Sequence, residues 1–154
     1  MEFLEKNSSL VIVSDKKEIA FSKNSLSLDG MTIDYPGEYE KSGFLVSVME
    51  AGENLLFSVR IEDHDIAYIG TDSLEITEDI ADFFNNTDIL VLPGTKNAAK
   101  IYENLDSRIV VPYGEEKNIL LSTLGQNVEG VARYKTKEAD FEGDNTLFVN
   151  LMSE

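Results

Sequence analysis

The sequence predicts a layered α/β or α+β sandwich, with antiparallel strands first and alternating helices and strands later. Two observations carry this. Up to Gly70 the apolar residues recur with a period of two, interrupted by turn residues; after Gly70 a helical period alternates with continuous apolar runs. A sheet hides one face and a helix one stripe, so this order stacks two sheets with helices on their outer faces. At 154 residues, 42% hydrophobic, the chain can bury a real core and is expected to form a single domain over 1–154.

The segment SLVIVSDKKEIAF reads as two apolar runs joined by a polar turn, so a β-hairpin is expected to open the chain. NSLSLDGMTI alternates around Asp29-Gly30, a strong turn signal. Pro36-Gly37 makes a further turn, because proline presets φ and glycine tolerates positive φ. Three strand-like runs then fill Gly43 to Gly70, separated by AGEN and EDHD. Phe44, Val46 and Val48 share one face of the first, and Phe57, Val59 and Ile61 one face of the second.

SLEITEDIADFF places Ile76, Ile80, Phe83 and Phe84 on one helical face, with acidic residues weighted to its start. Such a face is read as core rather than as a docking stripe. DILVLP and RIVVPY are strands apolar on both faces, and KNAAKIYENL between them is a short helix, giving a β-α-β unit. EKNILLSTLGQ is a helix closed by Gly125. GVARYKTKEADF and TLFVNLM are expected to end the chain as a hairpin across EGDN.

Composition narrows the function classes. The chain has no cysteine, which excludes disulfides, thiolate zinc sites and a cysteine nucleophile. The formal net charge of −16 opposes nucleic-acid binding, which needs clustered Lys and Arg. The same charge fits either solubility or an acidic adaptor for a basic partner. MEFLEKNSSLVIV is acidic with a short apolar run, so no signal peptide is expected, and no stretch reaches membrane-spanning length. A cytoplasmic protein without membrane or nucleic-acid partners is the expectation.

Four motifs in order resemble the metallo-β-lactamase superfamily, and within it a small bacterial group carrying a PGEYE element. IDYPGEYEKSGFLV, with Pro36, Gly37, Glu38, Tyr39 and Glu40, is similar to that group's strand-turn-strand segment. IAYIGTD resembles the superfamily strand ending in Gly-Asp, here Gly70 and Asp72 with Thr71 inserted. TDILVLPGT, with Pro93, and SRIVVPYG, with Pro112 and Tyr113, resemble two later strands. The resemblance implies an αββα sandwich of two mixed sheets with helices outside, shortened at the N-terminal part.

The resemblance also implies a metal site of several histidines and a bridging aspartate, with H-x-H-x-D-H at its centre. That ligand set is missing. The chain has one histidine, His64, and Tyr113 stands where the superfamily often has a histidine ligand. Asp72 alone matches a ligand position, as a relic of the bridging carboxylate or, alternatively, as a cap (with Ser73) on the following helix. One carboxylate cannot hold a catalytic zinc. A hard cation on Asp72, Glu38 or Glu40 is the oxygen-only alternative. His64, in EDHD, reads as a solvated turn residue.

No catalytic residue, metal or cofactor is therefore assigned. The expected function is a non-catalytic, metal-free binding or assembly module, a pseudoenzyme, acting on an unknown protein partner or as a homo-oligomer. The alternatives are a metal-dependent hydrolase of phosphodiesterase or esterase type, with an atypical carboxylate site or a site completed by a partner, and the acidic adaptor.

Overall fold

The period-two segments of the first half fold as meanders, and they fall into two different sheets. The computed structural model describes residues 1–7 and 9–152. Strands β1 (Glu2–Lys6), β2 (Ser9–Ser14), β3 (Lys17–Ser22), β4 (Ser25–Leu28) and β5 (Met31–Ile33) pair consecutively and antiparallel. Strands β6 (Gly37–Lys41), β7 (Phe44–Ala51), β8 (Asn54–Ile61) and β9 (His64–Ile69) form a second antiparallel meander. The chain leaves one sheet and enters the other at Tyr35-Pro36, between β5 and β6.

The second half supplies helix α1 (Glu78–Phe83), strand β10 (Ile89–Pro93), helix α2 (Ala99–Asn104), strand β11 (Ile109–Tyr113) and helix α3 (Lys117–Thr123). Four short strands close the chain: β12 (Gly130–Val131), β13 (Arg133–Lys135), β14 (Leu147–Phe148) and β15 (Asn150–Leu151). β10 lies parallel to both β9 and β11, and β14 lies parallel to β11. The seven-stranded sheet runs β14-β11-β10-β9-β8-β7-β6, and the six-stranded sheet runs β13-β1-β2-β3-β4-β5.

Alternation along each strand sorts side chains into two cores. Phe3, Ile12, Ile19 and Leu28 of the smaller sheet meet Val46, Phe57, Val59, Ile66, Val91 and Val111 of the larger one. On the other face of the larger sheet, Leu56, Ala67, Ile69, Leu90, Leu92 and Val110 pack against Ile80, Phe84, Ala99, Ile101 and Leu120. The helical layer therefore covers the seven-stranded sheet.

Three expectations are corrected. The chain opens with β1, one strand before the expected hairpin. The pattern EFLEK hid it, because Glu5 occupies a buried position there. The helix after Gly70 starts at Glu78, where Thr77 caps it by accepting from the Ile80 amide at 3.4 Å; Ile76 precedes it. The closing segments do not form a hairpin: β13 pairs antiparallel with β1, and β12 pairs parallel with β15. Strands of two or three residues are too short to show a period, so partners distant in sequence decide where they lie.

The start of the chain is tied to the β8–β9 turn. The enclosed Met1 ammonium lies 2.8 Å from Glu62, and Ser14 Oγ donates to the same carboxylate at 2.6 Å. The hydrogen bond from the N-terminal ammonium, followed by that from Ser14, holds the Glu62 carboxyl below its ordinary value of 4.5. A carboxyl lowered in the folded state stabilises above its unfolded value, and the gain is lost as pH falls through the folded value. Glu62→Gln is therefore expected to lower the urea midpoint at neutral pH. Urea titrations of both proteins from neutral to about pH 3 should show the gap closing as the carboxyl protonates; a constant gap would contradict the assignment.

Candidate functional site at the strand ends

Three parallel strands, β9, β10 and β11, end side by side, and this edge is where open α/β sheets tend to place ligand contacts. The sequence brings Gly70 and Asp72, Thr95, and Tyr113 to it. Asp72 does not cap a helix. Its Oδ2 accepts from Thr95 Oγ1 at 2.6 Å, which ties the loop after β9 to the loop after β10. Thr71 Oγ1 and Ser73 Oγ lie 3.1 Å apart, so the inserted Thr71 closes the loop on itself.

Aromatic packing fills the gap between the sheets at this edge. Tyr68 stacks on Phe21 of the smaller sheet at 4.4 Å and on Tyr113 at 5.7 Å. Tyr68 donates its hydroxyl to the Ser22 carbonyl at 2.8 Å, and Tyr113 donates to the Ile69 carbonyl at 3.1 Å. Burial pushes both phenols up, and the neighbouring Tyr68 adds to the effect on Tyr113. Both are thus held as neutral donors, the protonation state their carbonyl partners require.

Two glycines allow the backbone to come this close. A Cβ on Gly70 would collide with the Lys23 carbonyl, and one on Gly94 with the backbone of Lys117. The approach at Gly94 seats the start of α3, whose Leu120 amide donates to the Gly94 carbonyl at 3.0 Å. It also directs Lys117 inward, where its Nζ meets Glu5 of β1 at 3.3 Å with both side chains nearly enclosed. This buried pair was not legible in the sequence, since its partners lie 112 residues apart.

The other candidates lie elsewhere. Glu38 and Glu40 are exposed on one face of β6, while Tyr39 turns to the opposite face and donates to the Tyr35 carbonyl at 2.7 Å. Gly37 has φ +145°. Two strands separate β6 from β9, so neither glutamate reaches Asp72. Pro93 and Pro112 are adjacent to the edge, on β10 and β11, and lie in register with Tyr113 and Leu92 respectively. His64 is not a solvated turn residue: the tip is Glu62-Asp63, both at positive φ. His64 starts β9, stacks on Phe141 at 3.6 Å and faces Asp88 at 3.5 Å. It lies at the opposite end of β9 from Asp72, roughly 20 Å away along the strand.

This donor set does not fit a catalytic zinc or iron site. Zinc takes three or four imidazole, thiolate or carboxylate ligands, and the edge offers one carboxylate already engaged by Thr95. Among the described residues no three His, Asp or Glu side chains converge as a metal cage.

Comparison with solved structures identifies the fold. The chain superposes on a crystal structure from Thermotoga maritima, a candidate Zn-dependent hydrolase of the metallo-β-lactamase superfamily, with a TM-score of 0.75 and 15% identity. The match covers 99% of this chain and 100% of that one. No protein-family profile matches the chain, and no curated protein does. The fold is thus metallo-β-lactamase-like, with no match to the PGEYE group in particular. No helix among the described residues is long and apolar enough to cross a membrane.

The Lys117–Glu5 pair gives a test of how the edge is held. Removing Glu5 takes from the enclosed Lys117 ammonium the carboxylate it meets at 3.3 Å, and breaking a buried ion pair costs about 3–5 kcal/mol. Glu5→Leu is expected to lose stability in that range, and Glu5→Leu/Lys117→Met to recover most of it. Equilibrium urea unfolding of the two variants reads this directly; equal losses in both would assign the cost to packing instead.

Proposed function

We propose that the chain is a metal-free, non-catalytic member of the metallo-β-lactamase fold that works as a binding or assembly module, with a protein partner or a second copy of itself. The observation that supports this reading is Tyr113. It stands where the superfamily often places a metal-binding histidine, and its hydroxyl is committed to the Ile69 carbonyl. With its proton given to that carbonyl, the phenol is held neutral as a structural donor rather than as a base. The single histidine is at the far end of β9, and Asp72 is committed to Thr95.

A second reading, a hydrolase with an atypical carboxylate site, draws on one feature. A cleft of about 540 Å³ lies beside Asp72, between the loop Asp72–Ile76 and the polar face of α2 with Lys100 and Asn104. Its volume is in the range of small-molecule sites. The Thermotoga maritima protein's description as a candidate hydrolase points the same way, but on fold alone.

The two readings separate in one experiment. Protein purified without chelator is assayed for metal by mass spectrometry, then with aryl phosphodiester and aryl ester substrates plus Mn²⁺ or Mg²⁺, beside Asp72→Ala. The metal-free module predicts substoichiometric metal and equal background rates for both proteins. Stoichiometric metal, or turnover lost in Asp72→Ala, would establish the hydrolase reading instead.

A further inference from the structure

Strand β6 ends the seven-stranded sheet, and among the described residues no strand pairs with its outer side. The other outermost strands of the two large sheets, β5, β13 and β14, are three, three and two residues long. Edges that short offer little to pair with. β6 has five residues, Gly37–Lys41, free of proline and paired with β7 in unbroken register.

The turn that joins β6 to β7 fixes which backbone groups look outward. Ser42 and Gly43 both have positive φ, and the turn closes on the pair Lys41 and Phe44. In a two-residue hairpin of this kind the closing pair exchanges both backbone hydrogen bonds, and bonded pairs then alternate along the strand. Lys41, Tyr39 and Gly37 therefore bond to β7, while the N–H and C=O groups of Glu38 and Glu40 point to the free edge. Both glutamates are exposed, and among the described residues neither is in an ion pair. Lys41, the one cation of the strand, is turned away to the Asp29 carbonyl at 2.8 Å.

These positions decide what can add to the edge. Residues in a bonded antiparallel pair lie directly opposite, with their side chains on the same face, so the partners of Glu38 and Glu40 meet the two carboxylates. A second copy of β6 is excluded by its own charge. Two-fold pairing sets Glu38 against Glu40 of the copy, or one of them against itself, and like charges directly opposite destabilise a sheet. A strand with Lys or Arg at both positions reverses the sign. The residue between them lies opposite Tyr39, on the other face. Tyr39 and Met31, on the edge strands of the two sheets, both pack against the core between the sheets, so an apolar residue there would extend that core.

We infer that β6 is a docking edge for an extended protein segment of the pattern basic–apolar–basic, which adds antiparallel to the seven-stranded sheet. Main-chain bonds to Glu38 and Glu40 hold the segment, and the alternate side chains select it. The net charge of −16 draws such a segment in. The inference rests on the reading of the chain as a binding module and names the chemistry of its partner.

The test is a ¹H–¹⁵N NMR titration of the full chain at about 0.15 M salt, where long-range attraction is largely screened. The probe is a capped pentapeptide, threonine-lysine-valine-lysine-threonine. It is expected to shift the amides of Glu38 and Glu40 saturably, and to bind at least about tenfold more tightly than the same peptide with glutamate for lysine. N-methylation of both lysines keeps their charge but removes the N–H groups that β6 needs, and should abolish binding; N-methylation of the valine should not. Glu38→Gln/Glu40→Gln changes two exposed side chains and should weaken binding at least about tenfold with an unchanged urea midpoint. The inference is overturned if the probe gives no saturable shift at these amides, if the lysine-methylated or glutamate peptide binds as well, or if the double variant binds like the wild type. Shifts at the same amides that follow protein concentration without peptide would assign the edge to a second copy and overturn it too. Metal content and Asp72-dependent turnover decide the binding-module reading separately, so a failed titration of metal-free, inactive protein overturns the docking edge alone.

Discussion

The strand-end edge depends on how closely the β3–β4 turn approaches the end of β9. The Lys23 carbonyl sits where a side chain at position 70 would begin, so only glycine fits there. The same turn is held by Tyr68, which donates to the Ser22 carbonyl, and by Asn24, whose Oδ1 accepts from the Leu55 amide at 3.1 Å. These contacts fix the separation of the two sheets at their upper edge. They leave an aromatic stack of Phe21, Tyr68 and Tyr113 between the sheets at this edge. A buried polar group must be hydrogen-bonded, and here each phenol is satisfied by a backbone carbonyl of a neighbouring strand end.

The second fastening is electrostatic. Lys117 and Glu5 link the start of α3 to the opening strand, across the two halves of the chain. Such a pair contributes little net stability compared with apolar residues of the same volume, but it penalises any arrangement that leaves one charge alone. It therefore fixes where α3 sits relative to β1. Together with the Asp72–Thr95 bond, it makes the edge a closed structural corner.

Much of the fold was legible in the sequence because it rests on repeating patterns. Val46, Val48, Phe57, Val59 and Ile61 face the inner core as period two requires, and the unbroken ILVL and IVV runs are strands buried on both faces. What was illegible depends on partners far away in the chain. Glu5 breaks the apolar rhythm of β1 because its counter-charge is Lys117, and β13 has no pattern of its own because β1 recruits it. The site followed the same rule. Asp72 was visible as a family position, but its bond to Thr95 was not, and His64 looked solvated until Phe141 was brought onto it.

The central claim is that packing, rather than a bound ion, holds the Gly70–Tyr113 edge together. A metal that binds only the folded state raises stability in proportion to the logarithm of its saturation. Urea unfolding of chelator-stripped protein should therefore give the same midpoint with EDTA as with excess Zn²⁺, Mn²⁺ or Fe²⁺. A midpoint that rises and saturates with any of these ions would contradict the account.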